Sequence, residues 1–180
     1  GNGYSDEWVE EALRRGLPNI TSMVDAIPSL NTEKAVRLFE KFGVFTRAEL
    51  DSRVEIEYET YAKKINIEAR SMIDIAGKQI IPAVIKYTSA LAGSINAVRS
   101  ACAANVSVQE SLLIEVSELL AETKGALAKL EELANQGSAM AEGREQAVFY
   151  RDEVMAAMQA LRSPVDRLEM MVDNDIWPMP

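Results

Sequence analysis

Histidine is absent from the 180-residue chain, and cysteine occurs once, at Cys102. The first absence excludes Ser-His-Asp and Cys-His nucleophile systems, an imidazole general base, and zinc or di-iron sites that depend on histidine. The second excludes an internal disulfide or a thiolate cluster and fits a reducing, cytoplasmic compartment. Cationic charge is also scarce: 19 Lys and Arg stand against 28 Asp and Glu, a formal charge of −9. That balance argues against nucleic-acid phosphate or an anionic bilayer as the main partner. No apolar run approaches the roughly 18 residues that a membrane span requires, and no basic-then-apolar leader precedes a small-residue cleavage site. What is present is ordinary for a chain with one buried core: 48% apolar and 26% charged residues, with length for one domain or a domain and an arm.

Residues 1–46 are punctuated. Ser5 and Asp6 can cap a short helix containing Trp8, Val9, Ala12 and Leu13, which Gly16 and Pro18 end. Asn19 to Leu30 contains Pro28 and lacks a sustained period, so it reads as an ordered arm or loop. A second helix over about Thr32–Phe42 presents Ala35, Leu38, Phe39 and Phe42 on one side, with Gly43 as its stop.

Residues 47–180 are different in kind. Thr46 and Glu49 have the spacing of a capping box, and no turn cluster follows until about Ala101. A helix of about 55 residues would be roughly 80 Å long and needs partners along its seam. That seam reads as Val54, Tyr58, Tyr61, Ile65, Glu68, Met72 and Ile75, then Val84, Thr88, Leu91, Ile95, Val98 and Cys102 past Pro82. A proline there removes one donor and crowds the preceding turn, so a kink near Pro82 is expected in place of a stop. Cys102 is read as a small apolar filler on this helix.

Ser107 and Glu110 open another helix, about Val108–Ala134, with Leu112, Val116, Leu119, Thr123, Leu127 and Leu130 inward. Gln136–Ser138 mark the return turn, and a last helix runs from about Glu142 to Leu161. The stripe Val154, Met158, Leu161, Val165, Leu168 and Val172 keeps its phase across Ser163-Pro164, so a kinked continuation and a fresh helix both fit. Asp173–Pro180 is expected to be extended. Together these segments predict an all-α fold: an antiparallel bundle of three long helices, preceded by an arm with two short ones.

Charge is unevenly placed. Residues 1–46 carry −2, residues 47–103 carry +1, and residues 104–180 carry −8. The carboxylates fall at helix-surface spacing, where solvation is their ordinary role. Glu68 is the exception, a carboxylate in an apolar stripe that needs a partner if buried, such as Arg53, Lys63 or Arg70. No phosphate-binding glycine loop and no metal-ligand spacing is present. The eight methionines, among them Met155, Met158, Met170 and Met171, read as packing residues. No active site, bound cofactor or metal ligand is expected within the chain. Trp8, Phe42 and Phe45 are candidate interface residues, because a small arm cannot bury such groups alone.

Specific strings add to the periodic pattern. Asn2-Gly3-Tyr4-Ser5-Asp6-Glu7-Trp8, Arg15-Gly16-Leu17, Lys41-Phe42-Gly43-Val44-Phe45 and Glu49-Leu50-Asp51-Ser52-Arg53 resemble the segment after the catalytic domain of type III glutamine synthetases. Ile65-Asn66-Ile67-Glu68-Ala69, Lys78-Gln79-Ile80-Ile81-Pro82-Ala83-Val84, Tyr150-Arg151-Asp152 and Trp177-Pro178-Met179-Pro180 continue it. The likeness is strong over residues 2–88 and reduces to helical pattern over 104–145. It implies a C-terminal helical domain of an enzyme that joins ammonia to glutamate with ATP and Mg or Mn. The metal-binding Glu and His side chains then lie in an upstream catalytic domain. That domain and neighbouring subunits of a double-ringed oligomer are the implied partners, and the helical segment is implied to be a non-catalytic scaffold. A stand-alone helical adaptor or sensor is the rival reading, which fits the periodicity but not the strings.

Overall fold

A computed structural model describes residues 3–179; Asn2, in the first of those strings, and Pro180, at the end of the last, lie outside the described residues. Every regular element among the described residues is a helix, with no strand among them. They form two compact units, one of residues up to Tyr61 together with Glu142–Ala147, the other of Ala62–Ala141 with residues from Val148 onward. The expected division at residue 46 falls inside the first.

In the first unit, α1 (Asp6–Arg14) ends where the sequence predicts. Gly16 takes φ +73°, and the Leu17 amide returns to the Ala12 carbonyl at 2.9 Å. This left-handed closure suits glycine, which has no Cβ to clash. The segment expected to be an ordered arm or loop contains a short α2 (Met23–Ala26) running into a 3₁₀ turn, Ile27–Asn31. The φ that Pro28 imposes also suits the start of such a turn. Val24 and Ile27 are thereby buried, as are Val36 on α3 (Glu33–Lys41) and Leu50. Thr32 caps α3 by accepting the Ala35 amide, and Gly43 (φ +64°) closes it as Gly16 closes α1. The Thr46–Glu49 capping box forms: Glu49 Oε2 accepts the Thr46 amide at 2.7 Å, and Thr46 Oγ1 accepts the Glu49 amide at 3.4 Å.

From that cap the chain stays helical to Ala101. It passes through α4 (Arg47–Ile75), a wider π turn over Ala76–Ile80, and α5 (Ile81–Ala101). The π turn lies immediately before Pro82, and the Ile81 amide reaches back to the Ala76 carbonyl, five residues away. Widening the turn relieves the crowding that proline imposes on the preceding carbonyl, so the helix continues. Cys102 does not lie on this helix. It is an exposed, extended residue immediately after α5, correcting its reading as an apolar filler.

In the second unit, α6 (Ser107–Ala139) packs against α5 and against α8 (Met155–Glu169). Ile80, Val84, Val116, Leu119, Leu168 and Val172 form one buried cluster drawn from all three segments. Burying such side chains contributes about 1.5–3 kcal/mol each. Arg99 pairs with Glu110 and Arg167 with Glu115, so the start of α6 lies beside the ends of α5 and α8.

The return turn is displaced from its expected place. Gln136, Gly137 and Ser138 complete the last turn of α6, and the reversal follows at Met140–Gly143, where Gly143 has φ +132°. Gly137 is there for a close approach: a Cβ on it would sit 2.9 Å from Tyr150 Cζ. After α7 (Arg144–Phe149) a second π turn, Tyr150–Val154, leads into α8, which runs through Pro164 unbroken. The tail is not extended. Asp173 accepts the Ile176 and Trp177 amides at 2.9 Å through its carbonyl and the Asp175 amide at 2.8 Å through its side chain. This local turn chemistry folds Ile176 and Trp177 back onto the buried cluster.

Candidate functional site

The three aromatic residues expected at an interface fare differently. Trp8 is 39% exposed on α1, with the Arg15 guanidinium 5.8 Å from its ring. Phe42 is 68% exposed at the end of α3 and keeps only the Lys41 ammonium at 5.7 Å. Phe45 is half-buried. Its ring lies 5.6 Å from that of Phe39 at 60°, and the Arg53 guanidinium sits 4.3 Å over its centre. Phe45 is thus used within its own unit, joining the start of α4 to α3, whereas Trp8 and Phe42 remain open.

Glu68 is exposed, which corrects its reading as a buried polar residue. The inward positions of α4 are Tyr58, Ala62, Ile65 and Ala69, leading to Ala76 in the π turn. Small alanines carry this seam, so the bulk of neighbouring Tyr61 and Met72 drew the stripe one position off. The residue that takes the place expected for Glu68 is Ala69, fully buried.

A group of polar side chains gathers around Ser138 in the second unit. Ser138 Oγ donates to the Ala134 carbonyl at 2.8 Å, accepts from Arg70 at 3.3 Å, and lies 3.3 Å from the Tyr150 hydroxyl. Periodicity alone carried no signal for this group. Arg14 and Arg15 hold the Glu11 carboxyl below its ordinary range, the Thr46 amide and hydroxyl do the same for Glu49, and Arg151 does so for Asp152. Each is held more firmly as a carboxylate, the opposite of what a general acid needs. Burial, with Asp173 nearby, pushes the Tyr87 hydroxyl up, so it stays neutral. One concave region is a 300 Å³ hollow of mixed lining bounded by Ala92, Ile95, Arg99, Glu110 and Ile114. Among the described residues no three His, Cys, Asp or Glu side chains come together to hold a metal ion. None of the described helices is long and apolar enough to cross a membrane.

Residues 1–99 match the family described as the glutamine synthetase C-terminal domain. The chain belongs to that family. Its glutamine synthetase relatives extend the likeness across the rest of the chain. It is 36% identical to a glutamine synthetase of Butyrivibrio fibrisolvens over 96% of this chain. It is 34% identical to a type-3 glutamine synthetase of Dictyostelium discoideum, and 30% identical to a glutamine synthetase of Bacteroides fragilis, each over the full chain. In every case the chain spans 25% of the relative's length. The family match ends near the C-terminus of α5, so α6 and α8, which bury the far side of the core, are carried by the relatives alone. The strings around Trp8 and Gly43 coincide with the residues of α1 and with the closure of α3.

Proposed function

We propose that this chain is the C-terminal helical scaffold of a type III glutamine synthetase, without catalytic residues of its own. In that reading the whole enzyme joins ammonia to glutamate with ATP and Mg or Mn in the cytoplasm, and its reaction centre lies in the upstream catalytic domain. The observation that carries it is the quarter-length match: the relatives align along essentially all of this chain, yet most of each relative lies outside the alignment. The donor set supports the assignment of metal chemistry elsewhere, because the described residues do not fit a divalent cation.

The scaffold is read as residues 47–180, an antiparallel bundle of three long helices, with residues 1–46 as the arm that meets other parts of the enzyme. The length of the helices is the functional point. The chain is helical from Arg47 to Ala101, and α5, the last part of that stretch, packs against α6, which in turn packs against α8. Trp8, Phe42 and Phe45 are proposed as the arm's contact residues toward the catalytic domain and neighbouring subunits. Nucleic acid and membrane are not partners in this reading, consistent with the −9 charge.

Glutamine formation from glutamate, ammonia and ATP with magnesium tests the assignment. Turnover is expected from the full-length enzyme and none from residues 1–180. Turnover by the 180-residue chain overturns it.

A further inference from the structure

Helix α1 is the one described helix of nine or more residues that buries none of its side chains. Trp8, Val9, Ala12 and Leu13 share one face; Trp8 and Val9 are each 39% exposed and Leu13 is 58% exposed. Leu17 extends that face past the glycine closure, also exposed. The opposite face carries Glu7, Glu10, Glu11 and Arg14, with Glu11 bonded to both Arg14 and Arg15. A helix this short is marginal in water on propensity alone, and its stability ordinarily comes from packing of the apolar face. Here that face is only partly covered: Ala12 is half-buried and the Arg15 guanidinium lies 5.8 Å from the Trp8 ring.

We propose that this face docks onto the part of the same polypeptide that precedes α1 in the whole enzyme. The proposal rests on the reading of the chain as a C-terminal domain. Three observations select this occupant. The relatives' remaining length, about three-quarters of each, is available to cover it. In the reading of the chain as a C-terminal domain, that length precedes α1 in the same polypeptide, so the contact is available in cis. The polar face is acidic toward the helix start, whereas a helix lying on an anionic bilayer carries Lys and Arg there. Trp8 is the anchor, as the largest and most rigid apolar group on the face.

The test uses the full-length enzyme with Cys102→Ser, so that a photo-crosslinker on Leu13→Cys is the sole label contributed by this domain. Crosslinks from that position to residues preceding α1, within one polypeptide, are expected. Amide exchange over residues 6–14 is expected to be slowed about 100-fold and to lose most of that protection in Trp8→Ser/Val9→Ser, while residues 116–130 stay unchanged. Crosslinks between isotopically heavy and light subunits, crosslinks to lipid, or unprotected α1 amides in the wild-type enzyme overturn the docking. Unprotected α1 in an enzyme that makes glutamine discards this inference alone, whereas turnover by residues 1–180 discards the reading beneath it.

Discussion

Substituting Gly137 by alanine should destabilise the protein, against the ordinary trend for a helix. A glycine-to-alanine change inside a helix normally stabilises it by about 1 kcal/mol, because the unfolded chain loses freedom and the helix gains nothing to accommodate. At Gly137 the new Cβ meets Tyr150 Cζ at 2.9 Å, Cε2 at 3.1 Å and the hydroxyl at 3.2 Å. The ring cannot swing aside, because Tyr150 is 1% exposed and its hydroxyl contacts Ser138. Overpacking of this kind costs about 1–3 kcal/mol, so after the ordinary gain the net expectation is a loss of up to about 2 kcal/mol. Gly125→Ala is the control: it lies on the same helix with nothing within 4 Å of its Cβ, and it should gain about 1 kcal/mol. Urea denaturation followed by far-ultraviolet circular dichroism measures both. In a chain of this length the two variants should melt several degrees apart, at about 2–4 °C per kcal/mol. Equal stabilisation by both substitutions refutes the packing argument and with it the place of Gly137 within α6.

The register of α4 is tested by Glu68→Ala, which should change stability by less than about 0.5 kcal/mol, and by Ala69→Leu, which should cost about 1–3 kcal/mol. A large effect at Glu68 with none at Ala69 would restore the stripe expected from bulk. For Glu49, the folded carboxyl is held below its ordinary value of 4.5 by Thr46, so its contribution is present above that value and fades as pH falls through the lower folded one. Acid titration of the melting temperature should therefore show a smaller drop below pH 4.5 in Glu49→Gln than in the wild type. Trp177 has a buried indole nitrogen with no partner, so Trp177→Phe should be neutral or stabilising by about 1 kcal/mol; a loss above that points to a bond supplied by another part of the enzyme.

Legibility followed the range of the interaction concerned. Gly16, Gly43 and the Thr46–Glu49 box were readable because each acts on backbone groups a few residues away, where chain order alone sets the geometry. The inward stripe of α6 was readable because Val116, Leu119, Leu127 and Leu130 are large and regularly spaced. The seam of α4 was misread at Glu68 because its inward positions are alanines, which mark close approach without looking apolar enough to define a face. The turn assigned to Gln136–Ser138 failed for the same reason: Gly137 is a packing residue under a tyrosine ring, and glycine signals a turn and a close contact alike. Interface candidates divided similarly. Trp8, Phe42 and Phe45 are comparable as letters, but only the folded arm turns Phe45 inward against Phe39 and Arg53.

By itself, then, the order of residues determined an all-helical protein, the unbroken stretch from Arg47 to Ala101, the caps that bound its arm helices, and the family to which its strings belong. Those follow from local backbone chemistry, from periodic burial, and from identity of residues, none of which requires knowing what lies across the core. The tertiary structure alone decided that Ala69 and not Glu68 faces inward, that Tyr150 rests on Gly137, that the tail folds back, and that α1 leaves its apolar face open. Each of these depends on which distant side chain arrives opposite a given position, and that pairing is settled only when the helices pack.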